Sequence, residues 1–189
     1  MSTTTPRSAA APGSALSSGL AGTAGGPPLA DRFKSAFRGH PAGVVVITVP
    51  GRTGPVGFTA TSLSSLSLDP PLVSFAIATT ASSRPHLREG GAAVVHFLAA
   101  EHEELARRFA TSGIDRFAEP TRHSRLPGGE PLLDGVSNWL LISLRNLIPA
   151  GDHHLVIGRV TQVSSTPGHR PLLYHDGAYH DMGRPSATA

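Results

Sequence analysis

A chain of 189 residues with a net charge of +3 is enough for one ordinary domain, and a domain of that size closes a core without staples. It contains no cysteine, which excludes disulfides, thiol nucleophiles, iron–sulfur clusters and zinc knuckles. Charged residues make up 15% against 39% hydrophobic, and 21 glycines with 17 prolines favour strands and turns over long charged helices. The 16 basic residues stand singly or in short pairs such as Arg107-Arg108, so no basic stripe predicts a nucleic-acid partner.

Residues 1–30 are mostly Ser, Ala, Gly, Thr and Pro with one charge, Arg7, and read as a disordered low-complexity tail. Gly and Ser interrupt every apolar run there, which argues against a secretory signal, and no stretch approaches the roughly 18 apolar residues of a membrane span. The reading is a soluble protein with no membrane partner, and the missing cysteine suits the cytoplasm. The domain is expected over residues 31–180, with residues 181–189 a flexible C-terminal tail.

Asp31 reads as the N-cap of a short helix carrying Phe33, Ala36 and Phe37, stopped by Gly39 and Pro41. Gly43 to Val49 and Pro55 to Thr61 read as hairpin strands around the turn at 50–54. A hydroxyl-rich bend follows, then a third strand, Pro71 to Ala78, one helical turn near Pro85 to Glu89, and a fourth strand, Gly91 to Leu98. Glu101 to Ala110 puts Leu105, Ala106 and Phe109 on one helical face with the charges opposite. Ser137 to Ile148 and His153 to Ser164 are two long strands joined by Pro149-Ala150-Gly151-Asp152. About six strands, one or two short flanking helices, no βαβ alternation and no GxGxxG or GxxxxGK exclude a Rossmann domain. They predict a mainly β, small antiparallel barrel.

Between Thr59 and Ser67 six of nine residues bear hydroxyls, and the segment ends in Asp69-Pro70-Pro71. A strand leaving a barrel with exposed amides and short hydroxyls can satisfy the polar edge of an isoalloxazine ring, although solvated loop hydroxyls would look the same. No histidine spacing suggests metal ligands, so no metal is expected.

The order of elements resembles the flavin reductase-like family, the FMN-binding split barrels that include the small reductase components of two-component flavin monooxygenases. The matching pieces are FRGHPAGVVVITV (37–49), GFTATSLSSLSLDPPLVSFAI (57–77), SSRPHLREGGAAVVHFL (82–98), HEELARRFA (102–110), GDHHLVIGRV (151–160) and PLLYHDGAY (171–179). The resemblance implies a homodimeric split barrel that binds FMN or FAD near the subunit boundary, with NADH or NADPH as co-substrate. It implies that Thr59, Ala60, Thr61 and Ser62 face the ring and ribityl chain, and that Ser82, Ser83 and Arg84 hold the flavin phosphate. It further implies that a Gly-Asp-His turn sets His153, the catalytic candidate, against the nicotinamide, with Asp152 in the cofactor site to cap the turn or fix the imidazole tautomer and His154 on the opposite face by strand alternation. His96 departs from the family, whose members often carry Asn there. The implied activity is an NAD(P)H:flavin oxidoreductase serving a transient monooxygenase partner. Two alternatives stand beside it: a flavoenzyme that retains its flavin and acts on an organic substrate, and a flavin or haem carrier without turnover.

Overall fold

The computed structural model describes residues 26–182. The expected tails at 1–30 and 181–189 lie mostly outside the described residues. Helix α1 (Leu29–Arg38) starts two residues before the expected boundary, with Pro28 as N-cap. Asp31 is therefore not the cap but lies in the first turn, where a carboxylate still complements the unpaired N–H groups of the helix start.

The strands follow in order: β1 (Ala42–Gly43), β2 (Val45–Pro50), β3 (Pro55–Ala60), β4 (Ser64–Leu68), β5 (Pro71–Ala78) and β6 (Ala92–Phe97). Then come helix α2 (Glu103–Ala110), β7 (His123–Arg125), β8 (Pro131–Leu133), β9 (Trp139–Ala150), β10 (His153–Ser164), β11 (Leu172–His175) and β12 (Ala178–Asp181). Short 3₁₀ turns occupy Arg84–His86 and Ala100–His102. Part of the expected bend after Thr61 is thus a strand, β4, because Ser64 to Leu68 pairs with β5 through a bulge near Leu66. Asp181, expected in the tail, ends β12 and approaches Arg170 at 3.3 Å.

Seven strands form one antiparallel sheet in the order β3-β2-β6-β9-β10-β5-β4. The sheet curls, since Phe58 of β3 and Phe75 of β5 bring their rings within 6.1 Å although four strands separate them. It is a split barrel, open between its edge strands β3 and β4. In β5 the alternation is clean: Val73, Phe75 and Ile77 are buried while Ser74, Ala76 and Ala78 are half-exposed. β2 reads instead as a run that is apolar but for Thr48, because both its faces are covered. Val45, Ile47 and Val49 point into the barrel. Val46 packs outside it with Ala106, Phe109, Leu133 and Leu172.

Two buried polar side chains latch the small β7-β8 hairpin onto the barrel. Thr48 Oγ1 donates to the Pro131 carbonyl at 2.5 Å, and the His96 ring lies between the Val46 carbonyl at 3.1 Å and the Leu133 N–H at 3.0 Å. The three strands β1-β11-β12 form a separate sheet, whose Leu172 packs in the same outer cluster as Leu133 of β8.

Candidate functional site

The two edges of the split are consecutive in the chain, so the three residues Thr61, Ser62 and Leu63 must cross the opening. Ser62 pins the crossing to β5: the Ala76 N–H donates to its hydroxyl at 2.9 Å, and the hydroxyl reaches the Ala76 carbonyl at 3.4 Å. A groove of about 620 Å³ lies along this seam, within the range of about 300–1,000 Å³ for small-molecule sites. Buried Ala60, Ile77 and Phe109 give it an apolar floor, and exposed Thr61, Ser62 and Ser82 give it a polar rim.

The candidate residues divide by what their side chains touch. Thr59 lines the groove, but its hydroxyl donates to the Ala106 carbonyl at 2.7 Å and so ties β3 to α2. Ser82 and Ser83 both line the groove, but Ser83 is buried and its hydroxyl donates to the Gly57 carbonyl at 3.1 Å. Arg84 departs from the expected arrangement, since it is absent from the groove lining. Its guanidinium is committed to His154 Nδ1 at 3.1 Å and the Leu87 carbonyl at 3.3 Å.

The guanidinium that does line the groove is Arg116, a residue the sequence reading passed over. It donates to the Gly57 carbonyl at 3.1 Å, to Ser82 Oγ at 3.3 Å and to the Thr111 carbonyl at 3.0 Å. Burial lowers its pKa from the usual arginine value, though arginine stays charged at any physiological pH. Its local signal was Asp115-Arg116-Phe117: Asp115 accepts from the Phe117 N–H at 2.9 Å, and Phe117 sets its ring edge-on to Phe109 at 5.2 Å. A turn braced on both sides of a cation is a cue that could have been read.

At the far end of the seam the β9-β10 turn is tighter than the sequence suggested. Ala150 pairs directly with His153, leaving only Gly151 and Asp152 between the strands. Gly151 takes φ +63°, which a side chain would resist at this position. The Asp152 carbonyl accepts from both the N–H and the hydroxyl of Thr79, at 2.9 and 3.0 Å, so the turn is stapled to the chain after β5. Asp152 Oδ1 meets His153 Nδ1 at 2.6 Å, and this hydrogen bond, with the imidazole charge behind it, holds the Asp152 carboxyl below the usual carboxylate range. With Nδ1 turned to the carboxylate, Nε2 is the ring nitrogen left for a ligand. His153 lines the groove and also a second one of about 970 Å³, walled by Phe33, Phe37 and Tyr174 with Lys34 and Arg38 among its cations. His154 faces the other way, toward Arg84.

A split barrel with a hydroxyl-rimmed groove along its seam, lined by one guanidinium, defines a β protein with the donors for an anionic small molecule. Residues 37–183 match the family described as flavin reductase like domain. The NADH:FMN oxidoreductase of Rhodococcus qingshengii is 49% identical over 152 residues, which is 78% of this chain and 79% of that protein. HsaB of Rhodococcus jostii (strain RHA1), the reductase subunit of a flavin-dependent monooxygenase, is 34% identical over 148 residues, 78% of this chain and 75% of its own length. The solved structure of the Streptomyces globisporus C-1027 NADH:FAD oxidoreductase SgcE6, in complex with NAD and FAD fragments, aligns with a TM-score of 0.77 at 30% identity, over 85% of this chain and 96% of that one. The chain belongs to the flavin reductase like domain family. Among the described residues no helix is long and apolar enough to cross a membrane.

Proposed function

We propose that this protein is an NAD(P)H:flavin oxidoreductase that reduces FMN and passes the reduced flavin to a separate monooxygenase. One observation carries the reading: β3 runs along the groove from Gly57, whose carbonyl takes Arg116, to the crossing at Ser62, where His153 stands between the groove and its larger neighbour. The donor set fits a flavin nucleotide. Ser82 and Arg116 suit a terminal phosphate, Thr61 and Ser62 suit the ribityl chain and the polar ring edge, and Ala60 and Ile77 suit the ring face. A bound flavin supplies the hydride-accepting chemistry that no side chain here possesses.

The protein's own work is alignment. Asp152 accepts from Nδ1–H and fixes the His153 ring, Nε2 is left to accept from the carboxamide N–H of the nicotinamide, and the second groove supplies aromatic faces and cations for the rest of that molecule. The exposed rim at Thr61, Ser62 and Ser82 favours an exchanging flavin over a sealed prosthetic group. A homodimer fits the same geometry. Ile148 and Leu155 are cross-strand partners exposed on the face that carries His153, which would set the groove beside the subunit boundary. Steady-state NADH oxidation with excess free FMN is the test. Saturation in FMN is expected, and an anaerobic protein that leaves FMN oxidised in the presence of either nicotinamide nucleotide would sink the proposal.

A further inference from the structure

We propose that Arg108 is a positioning residue for flavin binding, acting through Arg116 without touching the ligand. This rests on the reading that Arg116 holds the flavin phosphate. Arg108 sits in the last turn of α2, outside the groove lining, and its side chain is spent on the loop that carries Arg116. Its Nε donates to the carbonyl of Arg116 itself at 3.1 Å. Its Nη2 is shared among the carbonyls of Asp115 at 3.1 Å, Ala118 at 2.9 Å and Glu119 at 3.2 Å. Four carbonyls of one short loop thus converge on one planar fork.

The loop needs that fork. From Thr111 to Pro120 every residue except Arg116 and Phe117 is exposed, so little burial offsets the entropy lost on fixing it. Its other ties include Thr121, whose Oγ1 donates to the Arg116 carbonyl at 2.8 Å and whose N–H donates to the Ala118 carbonyl at 3.1 Å, the Asp115 turn, the Phe117 ring between Phe109 and His123, and the bonds of the Arg116 side chain itself. Arg116 must hold its guanidinium against the Gly57 carbonyl and Ser82 while leaving donors for a phosphate, and misplacing a charged donor by about 1 Å forfeits most of what it gives. A lysine at 108 would keep the stem and the charge but offers a compact ammonium in place of a plane of donors, so it cannot bridge the same four acceptors.

The experiment compares KM and kcat for FMN and for riboflavin, at saturating NADH, in the full chain and in Arg108→Ala, Arg108→Lys, Arg116→Ala and the Arg108→Ala/Arg116→Ala pair. Riboflavin lacks the phosphate and so reports everything except the Arg116 contact. The expected result for Arg108→Ala is a KM for FMN raised about ten-fold, with kcat and the riboflavin constants within about two-fold. Arg108→Lys should resemble it, and the pair should lose no more FMN affinity than Arg116→Ala alone. Full recovery of FMN affinity in Arg108→Lys would overturn the inference in favour of simple charge. Equal losses for riboflavin, or additive losses in the pair, would overturn it in favour of a general structural role. Should the alanine variant not fold, Arg108→Lys carries the same comparison, with a selective FMN loss supporting the inference and an unchanged FMN-to-riboflavin ratio refuting it. An Arg116→Ala protein that treats FMN and riboflavin alike would refute the phosphate reading itself, and this inference with it.

Discussion

Replacing His96 with Asn should flatten the acid side of the stability profile. The His96 ring is fully buried, and burial pushes its pKa down to about 4, against the pull of the Val46 carbonyl. The Leu133 N–H aimed at Nε2 leaves no acceptor for a second ring proton. Native His96 therefore stays neutral while the unfolded chain takes up a proton near pH ~6.5, so the unfolded state binds more protons between those values. The stability is fully present above pH ~6.5 and is lost as the pH falls toward 4. At 1.36 kcal/mol per unit of pKa difference, the loss attributable to His96 reaches about 3 kcal/mol by pH 4. His96→Asn keeps a donor for Val46 and cannot ionise, but it strands the Leu133 N–H at a cost of about 1–3 kcal/mol near neutrality. Urea unfolding of both proteins from pH 7.5 to 4 gives the comparison, and every other titrating group cancels in the difference. The gap between them should be largest at pH 7 and shrink or reverse by pH 4. Parallel curves across the whole range would refute the reasoning.

Arg116→Ala should weaken FMN binding roughly ten- to a hundred-fold and leave riboflavin binding nearly unchanged, as fluorescence titration would show, whereas Arg84→Ala should spare both ligands. His153→Ala should lower the second-order rate with NAD(P)H by roughly ten- to a hundred-fold with flavin affinity within a few-fold. In stopped flow, a silent His153→Ala beside a damaging His154→Ala would reverse the assignment. At Gly57 an added Cβ would stand 2.9 Å from the Ile47 carbonyl and 2.7 Å from Phe109 Cε1, so Gly57→Ala should lose about 1–3 kcal/mol in denaturant melts, and a neutral result would show that β3 and α2 can part. Leu155→Glu should shift the protein toward monomer in sedimentation velocity, and an unchanged mass would remove the β9-β10 face from consideration as the interface.

The strands were legible wherever burial had a simple period. β5 announced itself by alternation and α2 by its amphipathic face, because in each case one side meets the core and the other meets water. β2 was legible for the opposite reason, being apolar at every position but Thr48 between the barrel core and the outer cluster of Phe109, Leu133 and Leu172. What stayed hidden was too short to show a period or had no apolar face. β4 is Ser64 to Leu68 with no buried residue, a strand only because β5 offers it an edge, and β7-β8 is held by Thr48 and His96, whose partners lie 83 and 37 residues away. Local propensity carries no trace of a partner at that separation.

The site shows the same division, and Arg84 against Arg116 is its sharpest case. Ser82-Ser83-Arg84 looks from the sequence like a run of phosphate donors, but the 3₁₀ turn at Arg84–His86 gives adjacent residues different directions. Ser82 and Ser83 line the groove, the second with its hydroxyl spent on the Gly57 carbonyl, and Arg84 turns toward His154. The cation returns from 34 residues further along the chain, where the loop after α2 folds back over Gly57 and meets Ser82. A phosphate site needs a hydroxyl and a guanidinium side by side in space, and nothing requires them to be side by side in the chain. The crossing at Thr61 to Leu63 was readable because one segment supplies it whole. The guanidinium proposed to complete it was not, because its place depends on a loop tied by hydrogen bonds to backbone carbonyls, Arg108's foremost, and carbonyls are the same at every residue.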